Sequence, residues 1–123
     1  EPAAKQAEEE LGGVVHPAPA SLNLVILGMG EDGHVASLFP GESEAAMADP
    51  AVYRAVRHAP KPPPNRVTLG YAALAAAKEV LVLVSGAGKQ AALRESLRRN
   101  GQTPLARVLR MRRHTKILSD VAV

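Results

Sequence analysis

Cysteine and tryptophan are absent from this 123-residue chain, which contains one Phe and two Tyr. Without thiols there are no disulfides and no thiolate metal sites, and the redox compartment stays open. So few aromatic rings leave almost no platform on which nucleic-acid bases stack. No apolar run approaches the roughly 18 residues a membrane span requires. Glu1 to Leu11 also lacks the basic start and apolar stretch of a secretory leader. A cytoplasmic protein with no membrane partner is the default expectation. The net charge is +3 with a pI near 9.6, and eight of the fifteen basic residues fall between Arg94 and Lys116. No Lys/Arg motif of a nucleic-acid module accompanies them. That stretch reads as a solvated basic face able to attract an anionic substrate, and no nucleic-acid partner is expected.

What is present suits one globular domain. The chain is 46% hydrophobic and 22% charged, and its length allows a core of its own. Glu1 to Leu11 has the spacing of a short helix ended by Gly12-Gly13. A Pro- and Ala-rich connector, His16 to Ser21, follows. Leu22 to Leu27 is a compact apolar run that suits a strand buried on both faces of a parallel sheet. Gly28 to Gly33 is a glycine-rich loop, and His34 to Phe39 starts a short helix cut off by Pro40-Gly41. Pro60 to Pro64 is expected to be extended. Arg66 to Leu69 and Glu79 to Ser85 are strand candidates. Tyr71 to Lys78 and Ala87 to Arg99 are helix candidates. The tail from Leu105 to Val123 is expected to hold one or two edge strands. Strands alternating with helices predict an α/β fold, a mostly parallel sheet flanked by helices.

Gly28-Met29-Gly30-Glu31-Asp32-Gly33 matches the G-x-G-x-x-G pattern of dinucleotide-binding turns. Its context does not. A dinucleotide turn feeds a long helix and is followed by an acidic residue at the end of a second strand. Here Pro40-Gly41 interrupts the chain, and no strand precedes Glu42, Glu44 or Asp49. What remains is a loop at the carboxyl end of a strand, where open α/β sheets bind ligands. It carries Asp32 and His34 two residues apart. Imidazole is the side chain whose ordinary titration range brackets neutral pH, so it can take a proton from water. The glycines let backbone approach a ligand and leave N–H groups for an anion. The same residues also fit a purely structural role, with Asp32 capping the short helix and His34 packed beneath it. No pair of histidines has metal-ligand spacing backed by carboxylates, so no metal is expected, and with the dinucleotide context failing no cofactor is expected either.

Leu27-Gly28-Met29-Gly30-Glu31-Asp32-Gly33-His34-Val35-Ala36-Ser37-Leu38-Phe39-Pro40 resembles the L-G-x-G-x-D-G-H-x-A-S-L-F-P signature of 6-phosphogluconolactonases. Those enzymes share a family with the glucosamine-6-phosphate isomerases. Pro62 to Leu69 is similar to the family's P-P-x-x-R-x-T block, and Val84 to Lys89 to its strand followed by G-x-x-K. The deaminase branch shares the D-G-H loop but carries a glutamate just before the proline. Phe39 stands there in this chain and cannot carry a proton, which favours the lactonase.

The resemblance implies a Rossmann-like three-layer fold and hydrolysis of 6-phosphogluconolactone to 6-phosphogluconate, in the pentose phosphate pathway. It implies His34 as general base and Asp32 as its holder. Gly28, Gly30 and Gly33 would line the substrate, with amides of Gly30 or Gly33 on the oxyanion. Lys89 and Arg66 would be phosphate ligands, with Lys61 a lesser candidate. Either cation could instead simply face solvent. Members of the family run to about twice this length and begin with an S-G-G-S-T-P phosphate loop that is absent here. The chain is therefore expected to be the C-terminal portion of such a domain. It is expected to self-associate or pair with the missing half, since a truncated parallel sheet exposes an edge and an apolar face. The alternatives are a glucosamine-6-phosphate deaminase-like enzyme and a non-catalytic sugar-phosphate-binding fragment.

Overall fold

In the computed structural model, which describes residues 2–12 and 21–123, the alternating valines and leucines of the Glu79 to Ser85 run form the central strand of a parallel sheet. Strand β1 is Leu24–Gly28, β4 is Glu79–Val84 and β5 is Lys116–Ser119, in the order β1-β4-β5. Val25 pairs with Val80 and Gly28 with Leu83 in parallel register, and Val82 pairs with Ile117 on the other side. Because side chains alternate along a strand, Val25, Leu27, Val80, Val82 and Val84 all face one layer. That layer is helical: α3 (Tyr71–Ala76), α4 (Gln90–Ser96) and α5 (Pro104–Met111) supply Tyr71, Leu74, Ala92, Leu93, Leu105 and Val108 to a single core.

The opposite face is open. Leu24, Ile26, Leu83 and Leu118 are each about half exposed, at 51%, 58%, 46% and 55%. Burial on both faces was the expectation for Leu22 to Leu27. It holds for one face only, because the described residues supply no second helical layer.

The remaining elements form a separate unit. Strands β2 (Tyr53–Val56) and β3 (Arg66–Leu69) make an antiparallel pair outside the main sheet. Helix α1 (Pro2–Gly12) packs on it, and Glu8 accepts a 2.6 Å hydrogen bond from the Val52 N–H. A one-turn helix, α2 (Glu44–Met47), is capped by Ser43. Pro60 to Pro64 is not extended: the segment bends, and the Ala59 N–H donates to the Pro64 carbonyl at 2.9 Å. The connector His16 to Ser21 lies outside the described residues except for Ser21, whose hydroxyl donates to the Ala76 carbonyl.

The tail holds one edge strand, Lys116–Ser119, as expected. Before it lies a helix that was not expected: Thr103 accepts the Ala106 N–H at 3.1 Å as N-cap, and Pro104 occupies the first turn. One further expectation is corrected: His34 to Phe39 is not a helix. Ala36 takes a φ of +50°, and the Leu38 N–H closes a turn on the Val35 carbonyl at 2.9 Å.

Candidate active site

Beyond β1 the chain makes a tight loop anchored at both ends. Met29, Val35 and Leu38 are buried in the core, so the backbone on either side of His34 is pinned. At its far end, the Ser37 N–H donates to the Thr68 hydroxyl of β3 at 3.0 Å. Gly33 combines a φ of +83° with a position where a Cβ would lie 2.6 Å from Thr103. Only glycine meets both conditions.

Asp32 and His34 are in contact. The Asp32 Oδ1 accepts the His34 backbone N–H at 3.0 Å and lies 2.5 Å from its Nδ1. Both side chains keep some solvent access, 31% for Asp32 and 19% for His34. Burial pushes the Asp32 carboxyl up, but the His34 backbone N–H, its imidazole and its charge outweigh that and hold the carboxyl below its ordinary value. Asp32 thus remains an acceptor, facing Nδ1 of the ring. Among the described residues the other ring nitrogen, Nε2, has no hydrogen-bond partner.

Gly30 lies against the imidazole: a Cβ there would overlap His34 Cε1 and Nδ1. The amides expected to face an oxyanion do not. The Gly30 N–H donates to the His34 carbonyl at 2.9 Å, and the Gly33 N–H to the Gly30 carbonyl at 3.0 Å. Gly28, the last residue of β1, has open space around it.

Lys89 follows the neighbouring strand. Ala87–Lys89 form a 3-10 turn after β4, with the Lys89 N–H on the Gly86 carbonyl at 3.1 Å. Because β1 and β4 are parallel neighbours, both loops leave the same edge of the sheet. They touch: a Cβ on Gly88 would overlap the Glu31 carboxylate. Asp120, just past β5, holds this second loop by accepting from the Ser85 hydroxyl at 2.8 Å and the Gly86 N–H at 3.0 Å. Those bonds, with some help from the Lys89 charge, keep its carboxyl below the ordinary value. Asp120 was not anticipated, and nothing in its local sequence marks it.

Arg66 is less available than expected. Its Nε donates to the Pro63 carbonyl, and its NH2 group to the carbonyls of Lys61 and Pro62, at 2.8–3.0 Å. Its guanidinium also lies 5.2 Å from the centre of the Phe39 ring. It clasps the proline segment. Lys61 is exposed. A cavity of about 310 Å³ lined by Leu24, Glu79 and Lys116 lies at the opposite, amino end of the strands. Among the described residues no cluster of His, Asp and Glu could hold a metal ion, and no helix is long and apolar enough to cross a membrane.

The fold and the loops together define an open α/β protein with its candidate site at the carboxyl edge of adjacent parallel strands. Residues 1–118 match the family of glucosamine-6-phosphate isomerases and 6-phosphogluconolactonases, and the chain belongs to that family. It is 47% identical over 73 residues to the 6-phosphogluconolactonase of Mycobacterium tuberculosis, a match covering 59% of this chain and 29% of that protein. With the human 6-phosphogluconolactonase it shares 39% identity over 87 residues, 71% of this chain and 33% of that one. The solved 6-phosphogluconolactonase of Trypanosoma brucei superposes with a TM-score of 0.76 at 28% identity, over 96% of this chain and 50% of that one. The chain therefore spans about half of the solved relative and a smaller share of the curated ones.

Proposed function

We propose that this chain carries the proton-transfer machinery of a lactonase that hydrolyses 6-phosphogluconolactone to 6-phosphogluconate. His34 Nε2 takes a proton from water as the water oxygen attacks the lactone carbonyl. The bond from carbonyl carbon to ring oxygen then breaks, and the proton passes to that oxygen as it leaves. Asp32 holds the ring through Nδ1 and stabilises the imidazolium. Lys89, on the adjoining loop, holds the substrate phosphate as a point charge. Gly28 leaves space above the end of β1 for the sugar.

The observation that carries this reading is the pairing of Asp32 with Nδ1 at 2.5 Å beside a second loop that bears Lys89. The hydrogen-bonded state of the Gly30 and Gly33 amides argues that the oxyanion donors lie elsewhere in the site. Phe39 before Pro40 argues against the deaminase, which needs a proton carrier there. The half-exposed Leu24, Ile26, Leu83 and Leu118 leave the open sheet face available to the other half of such a domain or to a second copy of this chain.

Acid release from freshly prepared 6-phosphogluconolactone, measured above its spontaneous hydrolysis, is the test. Acceleration that falls about 10²–10⁴-fold in His34→Ala is expected. Binding of 6-phosphogluconate without acceleration would instead favour a non-catalytic sugar-phosphate module. Ammonia release from glucosamine 6-phosphate would favour the deaminase.

A further inference from the structure

The Asp32 hydrogen bond alone does not fix the imidazole. A ring held through one nitrogen can still pivot about the Nδ1···Oδ1 line, carrying Nε2 through an arc. Two other neighbours remove that freedom. Gly30 lies so close to Cε1 and Nδ1 that only a hydrogen fits between. On another side the Phe39 ring packs on the imidazole, with centroids 4.6 Å apart and planes 36° apart. Phe39 itself does not move freely. It is 4% exposed, and Arg66 lies against its ring with a guanidinium tied to the carbonyls of Lys61, Pro62 and Pro63.

We propose that Phe39 is a positioning residue, which sets the plane of the His34 imidazole and so the direction in which Nε2 meets substrate water. This rests on the reading of His34 as the base. A displacement of about 1 Å at a reacting atom can lower a rate on the order of 100-fold. Phe39→Leu removes the ring while keeping an apolar side chain. It should therefore lower kcat about 10–100-fold, with KM changed by less than about 3-fold, because no substrate contact is lost.

The geometry is checked in the unmutated chain by NMR. Cross-relaxation between the Phe39 ring protons and the His34 ring protons is expected, with the His34 ring signals shifted upfield by the aromatic current. In Phe39→Leu those signals move downfield while the backbone amide spectrum away from the loop stays in place. Absence of the cross-peak in the unmutated chain overturns the proposal, even if Phe39→Leu does not fold. So does a Phe39→Leu protein whose KM rises as much as its kcat falls. If His34→Ala keeps full activity, the base assignment fails and this proposal with it. If His34→Ala is inactive while Phe39→Leu is not impaired, only this proposal fails.

Discussion

Gly30→Ala should separate the chemistry of the loop from its folding. Gly30 is not among the glycines with positive φ, so an alanine backbone is allowed there. Its Cβ would overlap Cε1 and Nδ1 of His34 and sit 3.0 Å from Asp32 Oδ1. All of these are side-chain atoms, so the relief is rotation of the imidazole off the carboxylate, not movement of the strand. The loss is one hydrogen bond to a charged acceptor, worth roughly 1.5–3 kcal/mol. Against it stands a gain of about 0.4–1 kcal/mol from the stiffer unfolded chain. The net destabilisation is therefore about 0.5–2.6 kcal/mol. Catalysis loses its positioned base, and lactone hydrolysis should drop about 10²–10⁴-fold, to the level of His34→Ala. Urea unfolding and the hydrolysis assay on the same preparation measure both quantities. In the double variant with His34→Ala the overlap with the imidazole vanishes and only the flexible Asp32 carboxylate must give, so adding Gly30→Ala should then cost much less stability. A Gly30→Ala protein with more than about half the normal rate would refute the argument.

Gly33→Ala should behave oppositely and lose stability first. The left-handed backbone costs about 1–2 kcal/mol, and a Cβ 2.6 Å from the N-cap Thr103 adds about 1–3 kcal/mol of overpacking; a urea-derived loss under about 1 kcal/mol would contradict this. Asp32, held below its ordinary pKa, contributes stability that is present above about pH 4 and is lost as pH falls through its folded value. Asp32→Asn should thus be less stable than the native chain at neutral pH and equal to it in acid, and a gap that widens on acidification would reverse the sign. Ile26→Lys with Leu83→Lys places charge on the open sheet face. It should convert an associating chain to a monomer in sedimentation experiments, whereas a native chain that already sediments as a monomer would remove the basis for association.

The strands were legible where an apolar run had a turn residue at its end. β1 stops at Gly28 and β4 before Gly86. Strand β2 was not legible, and the reason is physical. It is four residues long and turns Arg54 inward, 8% exposed, onto a two-bond ion pair with Glu42 at 2.6 and 2.8 Å. An inward charge reads as a loop until its partner is known. Helix α5 carried readable signals, a Thr-Pro start and Arg107 and Arg110 three apart on one face. Its apolar Val108 and Leu109 fit either period, so only the edge strand that follows it was legible.

In the candidate site, the D-G-H loop was visible as a pattern, but the role of each glycine was not. A missing Cβ serves a ligand, a backbone turn or a neighbouring side chain equally well in a sequence. Here Gly30 makes room for the imidazole, and Gly33 for a left-handed turn beneath α5. The pairing of β1 with β4 was also beyond reach, because no local signal joins segments so far apart. Yet that pairing is what brings the two loops of the candidate site together. Gly28 stands beside Leu83, so both strands end at nearly the same height, and the residues that follow must meet above them. Glu31 against Gly88 is the contact that results. A strand inserted between β1 and β4 would separate the loops by a further ~4.8 Å of sheet and remove the contact of Glu31 with Gly88. The site is therefore a property of strand adjacency first and of the loop residues second.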